Sequence, residues 1–216
     1  DSHGISVGSD GIIIQGNYLG TNPQGTAANG NGENGLTQTV ADADNITIGG
    51  LNAADRNILS GNEGAGSSPN DTSDNWTYQG NYIGVAADGL TAIPNAQPGE
   101  SGALSLDNSN GHTVGGSQPT AINVISGNLS HGIAPHNSNN LHIEGNYIGL
   151  GFDGTTLLGN SATGQVAGIT LSEVEGGLIK NNRVADFEGD AISINNDNED
   201  ITIENNTVYN SKRAIN

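Results

Sequence analysis

The sequence contains no cysteine and no methionine among its 216 residues. Disulfide bonds, thiol catalysis and cysteine-ligated metals are therefore excluded. Hydrophobic residues make up only 33% and aromatic residues 4%, so a conventional globular core would be thin. No stretch approaches the roughly 18 consecutive apolar residues of a membrane span, and we expect no membrane insertion.

Positive charge is also scarce. Five Lys and Arg residues face 23 Asp and Glu residues, which gives a net charge of −18. The five cations are Arg56, Lys180, Arg183, Lys212 and Arg213. Nucleic-acid binding requires clustered cations against phosphates, so nucleic acid is excluded as a partner. An acidic surface suits cations, basic partners or a salty exterior.

Glycine is abundant, with 34 residues, and asparagine is about as frequent. Low hydrophobicity with high net charge is typical of disorder. However, charged residues make up only 13%, and the aliphatic residues recur in register rather than at random. A repeat protein therefore fits better than a disordered chain.

Internal repeats organise the whole chain. The segment Gly16–Gly20 returns as Gly80–Gly84 and again as Gly145–Gly149, at spacings of 64 and 65 residues. Between these copies, the segment Arg56–Asn62 is echoed by Ile122–Asn128. Both forms reduce to an Asn followed two residues later by an aliphatic residue, and this pattern predicts one stacked structural unit per copy.

Seven copies of this pattern are present. Its Asn residues, which we call the first ladder, are Asn17, Asn57, Asn81, Asn123, Asn146, Asn182 and Asn206. The aliphatic partners are Leu19, Leu59, Ile83, Ile125, Ile148, Val184 and Val208. A preceding column consists of Ile14, Ile48, Tyr78, Val114, Ile143, Ile179 and Ile203. Short alternating runs bounded by Gly and Asn are typical of strands, and parallel crossovers are right-handed.

We therefore predict an all-β fold, a right-handed parallel β-helix (solenoid) of about seven coils. Residues 1–216 form a single domain, a segment of or a unit in a larger assembly.

The shortest spacing between ladder Asn residues is 23 or 24, and longer coils carry insertions that alternate between two corners. Three insertions share a Gly and an Asn six residues apart. These loops should lie roughly 10 Å from each other and either pack together, the favoured reading, or form a ledge for a ligand.

The first-ladder Asn residues are expected at a corner of each coil, where Asn tolerates the left-handed conformation and stacked amides satisfy one another. Trp76 and Tyr78 are on the same face of one strand and should fill the core. Outward Tyr18, Tyr82 and Tyr147 would form a spaced stripe.

The Gly-Asn-Tyr-Ile-Gly and Asn-Val-Ile-Ser-Gly-Asn segments resemble the parallel β-helix repeats of the pectate-lyase-like superfamily, especially repeats of large secreted or cell-surface bacterial proteins. The resemblance implies an extracellular or cell-surface location. It does not imply one activity, because the superfamily includes lyases, hydrolases, epimerases, adhesins and phage tailspikes.

Catalytic motifs are missing. Polygalacturonase-like enzymes carry Asn-Thr-Asp, Asp-Asp, Gly-His-Gly and Arg-Ile-Lys, and none of these occurs. Pectate-lyase-like elimination needs a basic residue beside calcium carboxylates, and only Lys180 and Arg183 are near enough acids to be candidates. His3 and His131 stand in matching Ser-His-Gly-Ile segments, which repeat duplication explains, and His131, His136 and His142 fit no familiar metal-ligand spacing.

Calcium is the one cofactor that the composition suggests, because acidic residues concentrate toward the C-terminal coils. The candidate ligands are Asp186, Glu188, Asp190, Asp197 and Asp200. The alternative is a solvated acidic rim.

These observations favour an extracellular structural or adhesive solenoid, a surface or filament component without catalysis. Its partners would be another copy end to end, or surface glycans. One alternative is a polysaccharide-active enzyme, either a lyase, hydrolase, epimerase or tailspike-like depolymerase, which predicts carboxylates or a Lys–acid cluster in a groove along the solenoid axis. Another is a noncatalytic glycan-binding module.

Overall fold

The computed structural model describes residues 2–38, 43–69, 72–95, 102–160 and 166–216. This part of the chain forms β-strands and two short 3₁₀ turns, η1 (Ala53–Asp55) and η2 (Pro119–Ala121), with no α-helix. It holds no helix that is long and apolar enough to cross a membrane. The strands are β1 (Ile5–Val7), β2 (Ile13–Ile14), β3 (Tyr18–Leu19), β4 (Leu36–Gln38), β5 (Thr47–Gly49), β6 (Ile58–Leu59), β7 (Ser67–Ser68), β8 (Thr77–Gln79), β9 (Tyr82–Ile83), β10 (Leu104–Asp107), β11 (Thr113–Gly115), β12 (Val124–Ile125), β13 (Ile133–Glu144), β14 (Tyr147–Ile148), β15 (Ile169–Lys180), β16 (Arg183–Ile194), β17 (Glu199–Glu204) and β18 (Thr207–Ile215).

The strands stack in three parallel faces. Face A contains β1, β4, β7, β10, the first parts of β13 and β15, and the end of β16. Face B contains β2, β5, β8, β11, the last parts of β13 and β15, and β17. Face C contains β3, β6, β9, β12, β14 and the first parts of β16 and β18. One passage through A, B and C is a coil, and seven coils form a right-handed parallel β-helix, which confirms the predicted fold.

The predicted columns are in register. Face B pairs Ile14 with Ile48, Tyr78, Val114, Ile143, Ile179 and Ile203 in succession. Face C pairs Leu19 with Leu59, Ile83, Ile125, Ile148, Val184 and Val208. Stacking places equivalent side chains about 4.8 Å apart, and these columns form one continuous buried core.

Coil three carries the aromatic part of the core. Trp76 and Tyr78 are fully buried, as predicted, with ring centroids 6.4 Å apart. The Tyr78 hydroxyl crosses the core and hydrogen bonds to Ser67 Oγ at 2.9 Å, while Trp76 Nε1 donates to the carbonyl of Ala43 at 2.7 Å. The large Tyr78 is accommodated because Ser67 takes a position that is aliphatic in the neighbouring coils of face A.

The first ladder forms as predicted. The backbone N–H and Nδ2 of each Asn from Asn17 to Asn182 donate to Oδ1 of the Asn in the next coil, as in Asn81 to Asn123 at 2.9 and 3.1 Å. From Asn57 onward, Nδ2 also donates to a face B carbonyl of the preceding coil, as in Asn123 to Tyr78 at 2.9 Å. The interior amides are therefore satisfied by the neighbouring coils.

The expected backbone conformation of the ladder is wrong. None of the seven first-ladder Asn residues has a positive φ. In five coils the preceding residue takes the left-handed conformation: Gly16, Gly80, Gly145, Asn181 and Asn205. In coils two and four the corner is made by η1 and η2 instead, which end just before the ladder Asn. The ladder side chain points inward because the residue before it absorbs the turn.

A second ladder occupies the corner between face C and face A. Its members are Asn31, Asn62, Asn95, Asn128 and Asn160. Asn62 shows the arrangement, since its backbone N–H and Nδ2 donate to Asn95 Oδ1 at 3.1 and 2.8 Å. At the corner between faces A and B, side-chain oxygens of Asp10, Asp44, Asp74 and Asn110 each accept a backbone N–H from the next coil. All three corners are thus stabilised by stacked polar side chains.

The insertions alternate as predicted. Coils one, three and five carry loops after β3, β9 and β14, and each loop is closed by an antiparallel bridge. The loops pack directly on one another, because Ala87 N–H donates to the carbonyl of Gly25 at 2.8 Å and Phe152 N–H to that of Gly89 at 3.0 Å. The favoured packing is therefore confirmed, whereas the expected separation of roughly 10 Å is wrong where the loops meet.

Candidate functional site

A groove runs along the outer surface of face C. One wall is the ridge of stacked loops, and the other is formed by η1 and η2. Three adjoining cavities of about 250, 210 and 330 Å³ lie along it. Arg56 lines the first and second, and Tyr147 the second and third. We call this surface the face C groove, with the residues Tyr18, Leu51, Arg56, Tyr82, Tyr147, Phe152 and Arg183.

The predicted tyrosine stripe lies in this groove. Outward residues Tyr18, Ile58, Tyr82, Val124, Tyr147 and Arg183 are paired in register. Each Tyr packs against the glycine of a loop, and a Cβ at Gly89, where φ is +66°, would approach the Tyr82 ring to 2.8 Å. Tyr82 is consequently only 4% exposed, whereas Tyr18 is 44% exposed. The stripe therefore supports the loops as well as lining the groove.

Two arginines lie over these rings. The Arg56 guanidinium is 4.0 Å from the Tyr82 ring centroid, and its Nε donates to the carbonyl of Gly80 at 2.9 Å. The Arg183 guanidinium is 5.5 Å from the Tyr147 centroid. Burial raises the pKa of Tyr82, the Arg56 charge opposes that shift, and the charge of Asp88 in the adjacent loop adds to it. Within the described ranges neither arginine has a carboxylate at ion-pair distance, and no Asp or Glu lines the three cavities.

Lys180 and Arg183, the two candidate bases, lie on different faces. Lys180 belongs to face B, where it is in register between Glu144 and Glu204, and its Nζ is 3.1 Å from Glu204 Oε1. The hydrogen bond to Glu204 and that residue's charge raise the pKa of Lys180. Proton abstraction requires the neutral amine, which this contact disfavours. The predicted Lys–acid cluster exists, but its geometry is that of an ion pair on a surface.

The candidate calcium ligands are dispersed. Asp190 makes a bidentate contact with Arg213 at 2.5 and 3.0 Å, and Asp186 accepts hydrogen bonds from Gly159 N–H and Asn210 Nδ2. The other three candidates, Glu188, Asp197 and Asp200, are exposed. In the part of the chain that the structure describes, no three His, Asp or Glu side chains are grouped to hold a metal ion. Calcium binding stays a prediction.

The histidines are divided among separate places. His3 and His131 make equivalent hydrogen bonds to the next coil. Nδ1 of His3 accepts the backbone N–H of Asn34, and Nδ1 of His131 accepts that of Ala167. His131 and His136 line a cavity on face A, while His142 is on face B with its Nε2 3.0 Å from Glu144. His142 is therefore not brought together with His131 and His136.

His112 is a buried histidine whose role the sequence analysis missed. Its Nδ1 accepts the backbone N–H of Trp76 at 3.1 Å, and its Nε2 lies 2.6 Å from Ser109 Oγ. Burial lowers the pKa of His112 to about 4, although the nearby Asp74 opposes the shift. The neutral ring therefore supports the corner next to Trp76.

Acid should weaken the fold through His112. Because its folded pKa is below its ordinary value of 6.5, the stabilisation is fully present above pH 6.5 and is lost as the pH falls toward 4. We expect a loss of about 3 kcal/mol across this window. Urea unfolding of the native protein and of His112→Gln, measured at several pH values, checks the result. Equal pH dependence in both proteins would refute the assignment to His112, since the partly buried His131 is present in both.

Comparisons with known proteins leave the family open. No protein-family model and no curated protein matches the chain. One solved structure, a trypsin-treated form of QnrB1, a plasmid-mediated fluoroquinolone resistance protein, aligns with 92% of this chain and 93% of its own. The identity is 10% and the TM-score 0.16, so this similarity carries no structural or functional argument.

Proposed function

We propose that this chain is a noncatalytic, extracellular structural or adhesive β-solenoid, a component of a surface or a filament. The observation that carries the proposal is the commitment of polar side chains to stacking. The Asn side chains of both ladders form hydrogen bonds from each coil to the next. The residues that recur most regularly in the sequence are therefore the ones that hold the coils together. Such a stack is a stiff rod with long exposed faces.

The surface chemistry supports the same proposal. Most glycoside hydrolases use two carboxyl groups that flank the scissile bond, and the described lining of the face C groove contains none. The Lys180 ion pair favours the protonated amine over a general base. The resemblance of the repeats to those of large secreted and cell-surface proteins of the pectate-lyase-like superfamily supports the extracellular setting.

An incubation with neutral and uronate polysaccharides, in the presence of calcium, tests the proposal. We expect retention of the protein on at least one polymer, with no shortening of any polymer by mass spectrometry. Release of oligosaccharides that Lys180→Gln abolishes would instead identify a polysaccharide-active enzyme. The control is Lys212→Gln, which removes one exposed cation outside the Lys180 ion pair.

A further inference from the structure

We infer that the face C groove binds a proline-rich segment of a partner protein in the polyproline II conformation, with two carboxylates of the segment against Arg56 and Arg183. The inference goes beyond the proposed function, because it gives the groove a protein partner that is independent of any glycan to which the solenoid adheres. The groove has the length for an extended segment, since its three cavities adjoin from Tyr18 in coil one to Arg183 in coil six.

The tyrosine stripe has the period of a polyproline II helix. Tyr18, Tyr82 and Tyr147 are outward residues of coils one, three and five. Because successive coils are about 4.8 Å apart, these tyrosines recur about every 9.6 Å. A polyproline II helix has three residues per turn and rises about 3.1 Å per residue, so it presents an equivalent side chain about every 9.3 Å. A proline-rich segment along the groove therefore makes equivalent contacts in each turn.

Apolar and flat groups line the groove at the surface. Tyr18 is 44% exposed in the first cavity, and Leu51 and Phe152 are 38% and 51% exposed in the second. Tyr82 itself is covered, and the Arg56 guanidinium 4.0 Å above its ring provides the flat surface at that point. Grooves lined by aromatic side chains are docking sites for polyproline II segments, whose preformed conformation loses little entropy on binding.

The groove floor excludes the other common way in which an extended peptide binds a sheet. Strands β6, β9, β12 and β14 are each paired on both sides within face C. These strands offer no backbone edge for strand addition. A polyproline II backbone has no internal hydrogen bonds and stays solvated, so it needs no such edge and binds through its side chains.

Charge complementarity places acids in the segment. The protein has 23 acids and five cations, yet two of those cations lie in one groove whose described lining has no acid. Of the other cations, Lys180 and Arg213 are ion-paired with Glu204 and Asp190. An arginine without an internal carboxylate partner is available to a ligand, and its guanidinium group matches a carboxylate with paired N–H donors.

The two guanidinium groups are held in place before any ligand binds. Arg56 uses Nε for the carbonyl of Gly80, which leaves its terminal N–H groups for a ligand. Arg183 is held over the Tyr147 ring at 5.5 Å. Side chains that are already ordered lose less conformational entropy on binding, so these contacts favour affinity.

The positions of the guanidinium groups set the spacing of the acids. Arg56 lies over the Tyr82 ring, and Arg183 lies over the Tyr147 ring. These rings are two coils or about 9.6 Å apart along the axis, and one turn of polyproline II covers about 9.3 Å. Residues i and i+3 of the segment lie on one side of its helix, so a glutamate at each of these positions reaches both arginines.

Calorimetric titration with capped synthetic peptides tests the inference. The probe is PPPEPPEPPP, and its matched control is PPPEPPPEPP, which has the same composition but places the second glutamate on another side of the helix. We expect the probe to bind at least about tenfold more tightly than the control peptide and than PPPQPPQPPP. Arg56→Gln and Arg183→Gln should each weaken its binding about tenfold, whereas Lys212→Gln, an equal charge change outside the groove, should leave it unchanged.

Circular dichroism confirms the fold of each variant. Should Arg56→Gln fail to fold because Arg56 contacts Gly80, Arg183→Gln and Phe152→Ala still carry the test, and both should weaken binding. No binding of the probe, equal affinity for the control peptide, or unchanged affinity in these variants would overturn the inference.

Two further ligands distinguish the occupant. A flexible Gly-Ser peptide with the same two glutamates should bind at least about tenfold more weakly than the probe, because it pays the entropy of ordering that polyproline II has already lost. Equal binding of that peptide, or tighter binding of a polyuronate of matched length at the two arginines, would contradict a proline-rich partner. These results leave the noncatalytic proposal standing, since only shortened polymers in the polysaccharide incubation would refute it.

Discussion

Replacing Asn123 by Ala should lower the free energy of unfolding by about 4–5 kcal/mol. Asn123 is fully buried in the middle of the first ladder. Its Oδ1 accepts the backbone N–H and Nδ2 of Asn81, so the substitution leaves that backbone N–H without a partner, while Nδ2 keeps only its bond to the carbonyl of Ile48. It also removes the Nδ2 bonds to Tyr78 and Asn146. Urea denaturation followed by circular dichroism measures the change.

Asn17→Ala provides the matched control. Asn17 is half-buried in the first coil, and its Nδ2 donates to Gln15 and Asn57. After truncation, Asn57 Oδ1 still accepts the backbone N–H of residue 17. We expect a loss of at most about 1 kcal/mol. If both variants lost the same stability, the ladder would not act as a cooperative stack.

The columns of faces B and C were predictable because stacking brings equivalent side chains into direct contact. Ile48, Tyr78 and Val114 occupy the same inward position in successive coils, so the core requirement repeats in the sequence. The ladder Asn repeats for the same reason, since its amide needs an identical neighbour. The turn conformation was not predictable from the Asn itself, because the residue before it or a 3₁₀ turn makes the corner.

The second ladder carried a signal that the first ladder obscured. Successive first-ladder residues are 40, 24, 42, 23, 36 and 24 residues apart, whereas second-ladder residues are 31, 33, 33 and 32 apart. The insertions fall alternately after and before face C. Each interval between successive second-ladder residues therefore contains one insertion, whereas the intervals of the first ladder contain either two or none in the first four coils. Counting from Asn31 rather than Asn17 would have revealed a coil of nearly constant length.

The face C groove could not be predicted from any single motif. Arg56 precedes a ladder Asn and Arg183 follows one, so the two belong to different positions of the repeat. They come to one surface only because η1 forms the wall of the groove in coil two, while Arg183 takes the outward position held by Tyr147 in coil five. Departures from the repeat, rather than the repeat itself, therefore mark the candidate binding surface.

The second large loss of stability is expected when Gly115 is replaced by Ala. This residue has a φ of +89°, and an added Cβ would lie 2.0 Å from the carbonyl oxygen of Glu144 and 2.6 Å from Oδ1 of the ladder residue Asn146. Both atoms belong to the next coil, which cannot withdraw without breaking the stack. We expect Gly115→Ala to cost about 4 kcal/mol, as measured by urea denaturation.

Gly11→Ala separates the steric clash from the backbone strain. Gly11 also has a positive φ, +68°, but an added Cβ meets nothing within 4 Å. Only the left-handed conformation is penalised there, so about 1 kcal/mol should be lost. The difference between the two variants measures how closely successive coils approach. A Gly115→Ala protein as stable as Gly11→Ala would mean that the coils separate easily, and that the polar ladders alone, rather than close backbone packing, hold the solenoid together.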